Sequence, residues 1–225
     1  MFDDICRFGR LSPGDRVIEV GAGTGIATEG LADRGLVVTA LEPAPAMAAL
    51  AQHKLQGHGE VVLSRFEDWN PTMTDVRLVV SCNAWHWIEP AAGLRQLMRV
   101  LAPGGALALA WTVIVSWGED VFEKRMAEEL GAVWPKSHDL VTTSLEAFED
   151  GGRFEPFEVR RHRFSRTMDA DSYVAVTHTY GSSRDRERDL IVRRIIDDDC
   201  GGSITKVEDA VVYLTRRQSP APIGA

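Results

Sequence analysis

The stretch Val17-Ile-Glu-Val-Gly-Ala-Gly-Thr-Gly-Ile26 decides the fold. Arg16 to Val20 form a short β-branched run entered through the turn Ser12-Pro-Gly-Asp15, which predicts a strand. The run breaks at Gly21, Gly23 and Gly25, and then Ile26, Ala27, Gly30 and Leu31 recur at helical spacing. Gly35 follows the last helical residue, where a left-handed cap belongs. Outward from there, Leu36 to Leu41 read as a second buried strand, stopped by Glu42-Pro-Ala-Pro45, and residues 44–56 as an alanine-rich helix. Val61 to Leu63 and Leu78 to Val80 are predicted as strands three and four, residues 90–101 as a helix, and Ala106 to Val115 as strand five. Strands alternating with helices at this spacing imply an α/β fold, a parallel sheet with helices on both faces. A short helix is expected around residues 2–9.

The alternation stops near residue 116. Helices are expected at 119–131, around 144–150, at 170–180 and at 184–198, with a strand between Phe154 and Phe164. Ser203 to Val207 and Ala210 to Leu214 read as the last sheet material. The run Arg184-Asp-Arg-Glu-Arg-Asp189 alternates in sign and is followed by Leu190, Ile191, Ile195 and Ile196 at helical spacing, so it reads as a solvated helix face. Three consecutive acids at Asp197-Asp-Asp199 point in different directions, and no metal site is expected from them.

Composition bounds the function classes. The chain has 225 residues, 44% hydrophobic and 26% charged, enough for a large core in a single domain. A net charge of −8 repels a phosphate backbone, so nucleic acid is not an expected partner. No stretch reaches the roughly 20 apolar residues of a membrane span, and the start Met-Phe-Asp-Asp lacks the features of a secretory signal. Cys6, Cys82 and Cys200 are an odd, scattered set without a CxxC pair, which disfavours a disulfide framework or structural zinc. The expectation is a cytoplasmic protein without contact to membranes, as a monomer or homodimer.

The glycine turn carries the chemistry. A dinucleotide fingerprint has the spacing GxGxxG with a pyrophosphate on the helix N-terminus. Here the spacing is GxGxG, Ile26 stands where the third fingerprint glycine belongs, and Glu19 precedes the turn. A carboxylate there opposes a pyrophosphate and favours a cation, so the spacing points to a ligand with an amino-acid end. A purely structural glycine turn remains the alternative. Glu42 ends strand two about 20 residues on, where a carboxylate accepts from the hydroxyls of an adenosine ribose. It could equally serve as an acid facing the dipole of helix 44–56. A ribose carboxylate beside a phosphate-averse glycine turn points to S-adenosylmethionine.

The motifs Val17 to Gly25, Leu41-Glu-Pro43, Asn83-Ala-Trp-His-Trp87 and Arg99-Val-Leu-Ala-Pro-Gly-Gly105 resemble, in order, those of class I S-adenosylmethionine-dependent methyltransferases. The small-molecule branch of methyltransferase type 11 is the most similar. The resemblance covers about residues 10–115. It implies a doubly wound, Rossmann-like seven-stranded sheet of order 3-2-1-4-5-7-6, with strand seven antiparallel and a helical insertion after strand five. Residues 1–115 would be the cofactor-binding half, and 116–185 the insertion and substrate-side elements. Members usually carry a longer N-terminal segment than the one before Arg16 here.

Carried over by position, Gly21, Ala22 and Gly23 line the methionine part of the cofactor, and Glu19 lies near its ammonium group. Glu42 holds the ribose, Met47 packs on adenine, and Asn83 sits on the sulfonium side. Arg65, Phe66 and Glu67 fall in the adenine-edge segment. Many relatives have an Asp where Arg65 stands, and arginine cannot accept a hydrogen bond, so Glu67 or a backbone carbonyl would have to serve. All six tryptophans lie within residues 69–134. Trp85, Trp111 and Trp117 are candidates for the wall of an acceptor pocket, with core packing as the alternative. Methyl transfer needs mainly positioning and desolvation, and a base only where the nucleophile must lose a proton. His86 is the candidate base, with packing or hydrogen bonding as its other role. The implied function is methylation of a small-molecule acceptor. The alternative is a non-catalytic, cofactor-binding or regulatory relative, and a nicotinamide oxidoreductase is disfavoured by Ile26 and Glu19.

Overall fold

Val17, Ile18 and Val20 are fully buried in strand β1 (Arg16–Val20), which pairs on both sides and so lies inside the sheet. The computed structural model describes residues 1–116, 120–131, 141, 144–148, 152–179 and 185–219. In chain order these give α1 (Phe2–Gly9), β1, α2 (Ile26–Ala32), β2 (Val37–Leu41), α3 (Pro45–Lys54), β3 (Gly59–Val62) and β4 (Val76–Cys82). A 3-10 turn Trp85–Trp87 follows, then α4 (Pro90–Val100), β5 (Leu101–Ser116), α5 (Asp120–Leu130), β6 (Glu158–Met168) and α6 (Ala170–Thr179). The order closes with α7 (Arg186–Arg194), a π turn Ile195–Asp199 and β7 (Ile204–Arg216).

The seven strands form one sheet of order β3-β2-β1-β4-β5-β7-β6, the order expected from the resemblance. Strands β1 to β5 pair in parallel. The end of β7 lies beside the start of β5, where Gly104 N–H donates to Arg217 O and Arg217 N–H to Gly105 O, so β7 runs against the rest. Side chains alternate across the pleat. Leu107, Leu109 and Trp111 of β5 face one core with Ile18, Val20 and Val79. Ala106, Ala108 and Ala110 face the other with Val17, Leu78 and Val80. Helix α1 adds Ile5 to this second core.

The chain divides into two compact units. The first holds the described residues of Met1–Trp111, His138–Arg161 and Val211–Ala225, with the two cores above. The second holds those of Thr112–Ser137 and His162–Ala210. Its core joins Phe122 and Met126 of α5, Tyr173 and Val174 of α6, and Val192, Ile195 and Ile196.

Three differences from the sequence expectation have physical causes. The last sheet material is one strand, β7, and not two pieces. The acids Glu208 and Asp209 that interrupt its apolar pattern are buried and matched from β6. Arg163 donates to both Asp209 oxygens (2.9 and 3.2 Å), and Arg166 Nε lies 3.7 Å from Glu208. Strand β5 begins five residues early, because its register against β4 jumps between Leu101 and Ala106 across Pro103-Gly-Gly105. The helix expected at 184–198 widens into a π turn from Ile195, which buries Ile195 and Ile196 side by side. In that turn Asp199 accepts from Arg125 Nε at 2.8 Å. Of the helix expected at 144–150, residues 144–146 are helical, and 149–150 lie outside the described residues.

Candidate active site

The turn after β1 is tied to both neighbouring strands. Gly21 N–H and Ala22 N–H both donate to Leu41 O of β2 (2.9 and 3.0 Å), and Ser81 of β4 donates its hydroxyl to Val20 O (2.9 Å). Gly21, Gly23 and Gly25 all take positive φ, the region that favours glycine. The first and third also have no room for a side chain. A Cβ on Gly21 would stand 2.3 Å from Ala84 Cβ, and one on Gly25 would stand 2.7 Å from Ala51 Cα of α3. Gly25 thus lets the start of α2 approach α3 closely, a contact between two helices. A Cβ on Gly23 would meet nothing within 4 Å, which makes Gly23 the open side of the turn.

Glu42 fixes that open side. Its Oε2 accepts the Gly23 N–H and its Oε1 the Ala44 N–H, each at 2.8 Å. The carboxylate is therefore held in one orientation at the end of β2, and each oxygen keeps a further lone pair. Ala44 is the N-cap of α3, and Pro45 opens the helix. Glu42 thus engages the entry to α3 and lies beside the turn.

Glu19 lies beneath α2, 1% exposed, and accepts the Thr28 hydroxyl at 2.5 Å. Burial pushes its carboxyl up to about 7, the Thr28 bonds oppose that, and the Glu42 charge adds to it. Burial, reinforced by Glu19, pushes the Cys82 thiol up to about 12. The end of β1 is thus a desolvated place that already disfavours negative charge and would gain from a cation. Thr28 was missed in the sequence reading. Its signal was a polar residue at a buried helix position, which spacing alone does not link to Glu19.

The remaining candidates divide. Met47 is half-buried in the first turn of α3, and Asn83 is exposed in a left-handed conformation (φ 54°), its N–H donating to Ala110 O at 2.8 Å. Arg65 is exposed. Phe66 is turned into the core, 1% exposed and 5.9 Å from the Trp85 ring, while its carbonyl accepts from Gln96 Nε2 at 3.0 Å. Glu67 Oε1 accepts the Glu89 N–H at 3.2 Å. Trp85 is also core, 6.0 Å from Phe148. Trp111 is buried, its ring edge-on to Tyr213 and its Nε1–H donating to His86 Nδ1 at 3.4 Å. His86 is half-buried, and burial lowers its pKa. Trp117 lies outside the described residues.

Residues 18–109 match the family described as "Methyltransferase domain". An uncharacterized methyltransferase of Mycobacterium tuberculosis is 38% identical over 96 residues, 43% of this chain and 39% of its own length. A demethylmenaquinone methyltransferase of Corynebacterium urealyticum is 28% identical over 151 residues, 62% of this chain and 64% of its own length. The match thus spans about two fifths of the mycobacterial relative. A solved structure from Anaeromyxobacter dehalogenans, described as a "Putative Type II Methyltransferase", shares the fold over 97% of both chains, with a TM-score of 0.64 and 19% identity. The matched residues 18–109 hold the glycine turn, Glu42 and Asn83, and the sheet that carries them has the Rossmann-like order β3-β2-β1-β4-β5-β7-β6, the fold of the solved methyltransferase structure it resembles.

Proposed function

We propose that this chain binds S-adenosylmethionine at the glycine turn and transfers its methyl group to a small-molecule acceptor, an activity of the general class EC 2.1.1. The observation that carries this is the acid-flanked turn. Glu19 lies below it and the oriented Glu42 carboxylate on its open side. That donor and acceptor set suits a cationic amino-acid end and a ribose, and opposes a pyrophosphate. The cradle also fits. Gly21 has no space for a side chain against Ala84, and Gly23 leaves its own side clear.

Glu19 would face the ammonium group and Glu42 the ribose hydroxyls, with Met47 beside the adenine and Asn83 at the end of β4. Bound there, the cofactor supplies an electrophilic methyl on a sulfonium. The chain's task is then to orient the acceptor and keep water away, which can lower the barrier without a covalent intermediate. The relative named for demethylmenaquinone supports a small ring-bearing acceptor.

Isothermal titration tests the first half. S-adenosylmethionine and S-adenosylhomocysteine should bind, and NAD and NADP should not. Binding of NAD in place of the methyl donor would overturn the assignment. Binding without turnover across an acceptor panel that includes quinols and phenols would favour a regulatory relative.

A further inference from the structure

The contact between Trp111 and His86 has only one possible direction. The indole Nε1–H of Trp111 donates to His86 Nδ1 at 3.4 Å, and an indole nitrogen can only donate. His86 Nδ1 must therefore carry a lone pair. Burial holds the imidazole below its ordinary pKa, so at neutral pH the ring is uncharged and its one proton sits on Nε2. The Trp87 ring leans on the imidazole with centroids 5.1 Å apart, and Trp111, on β5, is itself fixed in the core with its ring edge-on to Tyr213. The tautomer is thus set by a buried donor held in place by its own packing.

We propose that Trp111 locks His86 as an Nε2–H donor, and that this N–H holds the acceptor by an oxygen anion instead of removing a proton from it; this rests on the methyl transfer proposed above. A base acting through Nε2 would need the lone pair that this tautomer lacks, and the ring's free lone pair is the one Trp111 occupies. The donor also selects among acceptors. A neutral amine has a single lone pair, and that pair must point at the methyl carbon, so an N–H donor there would block it. An oxygen anion has lone pairs to spare. One forms the new oxygen–carbon bond while another accepts from His86, the electron pair of the broken carbon–sulfur bond stays on sulfur, and no proton moves. His86 is then a substrate-contacting residue, and Trp111 a positioning residue acting through it. The acceptor class is a compact carboxylate, or a phenol or enol acidic enough to arrive ionised.

The test is 15N NMR of the full chain labelled at its histidines, free and loaded with S-adenosylhomocysteine, with the His86 signals assigned by their loss in His86→Gln. At pH 7 the wild-type ring should show a protonated Nε2 and a bare Nδ1, and Trp111→Phe should spread the ring over both tautomers. Millimolar benzoate, the probe anion, should shift the Nε2–H resonance of the loaded protein, and benzylamine should not. A proton on Nδ1, or a doubly protonated ring, in the wild type overturns the lock without need of any variant. A ring that answers to benzylamine, or to neither probe, overturns the acceptor class. Failure to bind S-adenosylhomocysteine would instead count against the cofactor assignment, because the tautomer is read in the free chain as well.

Discussion

Gly23 is held open by Glu42. The Gly23 N–H donates to Glu42 Oε2 at 2.8 Å across the mouth of the turn, and the other oxygen accepts from Ala44 at the start of α3. One carboxylate therefore joins the turn after β1 to the helix after β2. Removing it leaves two backbone donors without their partner, and each such loss costs about 1–3 kcal/mol where the group is shielded from water. Glu42→Ala should lower unfolding free energy by about 2 kcal/mol and weaken S-adenosylmethionine at least tenfold. Glu42→Gln, which keeps one accepting oxygen, should lose less of both. Denaturant titration and calorimetry read the two effects, and an unchanged unfolding midpoint in Glu42→Ala would remove the clamp.

Gly21 and Ala84 offer a more local test. A Cβ placed on Gly21 stands 2.3 Å from Ala84 Cβ, and the next nearest atom is Ala84 Cα at 3.7 Å. The clash is thus with a single methyl group. Gly21→Ala should destabilise by about 2–4 kcal/mol, combining overpacking with the strain of positive φ. Ala84→Gly added to it should restore the packing part, leaving about 1 kcal/mol of backbone strain. Additive losses in the double-mutant cycle would mean that the two residues do not meet.

Glu19 should make stability depend on pH in the direction opposite to an ordinary carboxylate. Its folded-state pKa is raised from 4.5 to about 7, mainly by burial. Between those values the folded state holds a proton that the unfolded state has released, so its contribution is complete below pH 4.5 and is lost as pH rises through 7. Glu19→Gln removes the titration while keeping an oxygen for Thr28. Between pH 5 and pH 8 the wild type should lose about 2 kcal/mol relative to that variant. Unfolding curves at the two pH values measure it, and a difference that does not change with pH would contradict the buried, protonated acid.

The turn and the central strand were legible because glycine spacing and β-branched runs are local signals, whereas the strand order followed from the family resemblance and not from any local pattern. Charge placement across strands was not. Glu208 and Asp209 read as a break in the last strand because their partners, Arg166 and Arg163, lie over 40 residues away in sequence. Phe66 and Trp85 stood in motifs that the resemblance ties to ligands, and nothing local told that each would pack against the other. Glu42 was legible by position, but its two backbone donors were not, since they depend on how β2 ends against the turn. His86 was legible as a polar residue after β4, whereas its tautomer depends on Trp111, which sequence placed only as a possible pocket wall.

Lys206 carries a prediction within the second unit. It is buried, its ammonium lies 5.0 Å from the Tyr173 ring centroid, and burial outweighs the attraction of Glu208 to push its pKa down to about 8. The unfolded chain keeps the proton to 10.5, so the charged folded state is penalised at neutral pH and stability recovers as pH rises from 8 towards 10.5. Lys206→Met fills similar volume without charge. It should gain about 1 kcal/mol or more at pH 7, and the gain should shrink by pH 10. A variant less stable than wild type at pH 7 would show that the contacts of the ammonium outweigh its burial.

The pair Trp85 and Trp87 separates core from rim within three residues. Trp85 is 4% exposed and packs on Phe66 and Phe148, whereas Trp87 is 77% exposed and leans on the His86 ring. The split follows from the 3-10 turn, in which successive side chains point about a third of a turn apart, so that only one of the two indoles can enter the core. Trp85→Ala should cost about 3–5 kcal/mol, the range for deleting a buried large aromatic side chain, and should act on the fold before any effect on the site. Trp87→Ala should leave unfolding within about 0.5 kcal/mol of wild type. Any change it makes to benzoate binding then reports on the support of His86 and not on folding. Equal destabilisation by the two substitutions would mean that Trp87 is covered in solution, and its exposed position at the end of the 3-10 turn would have to be abandoned.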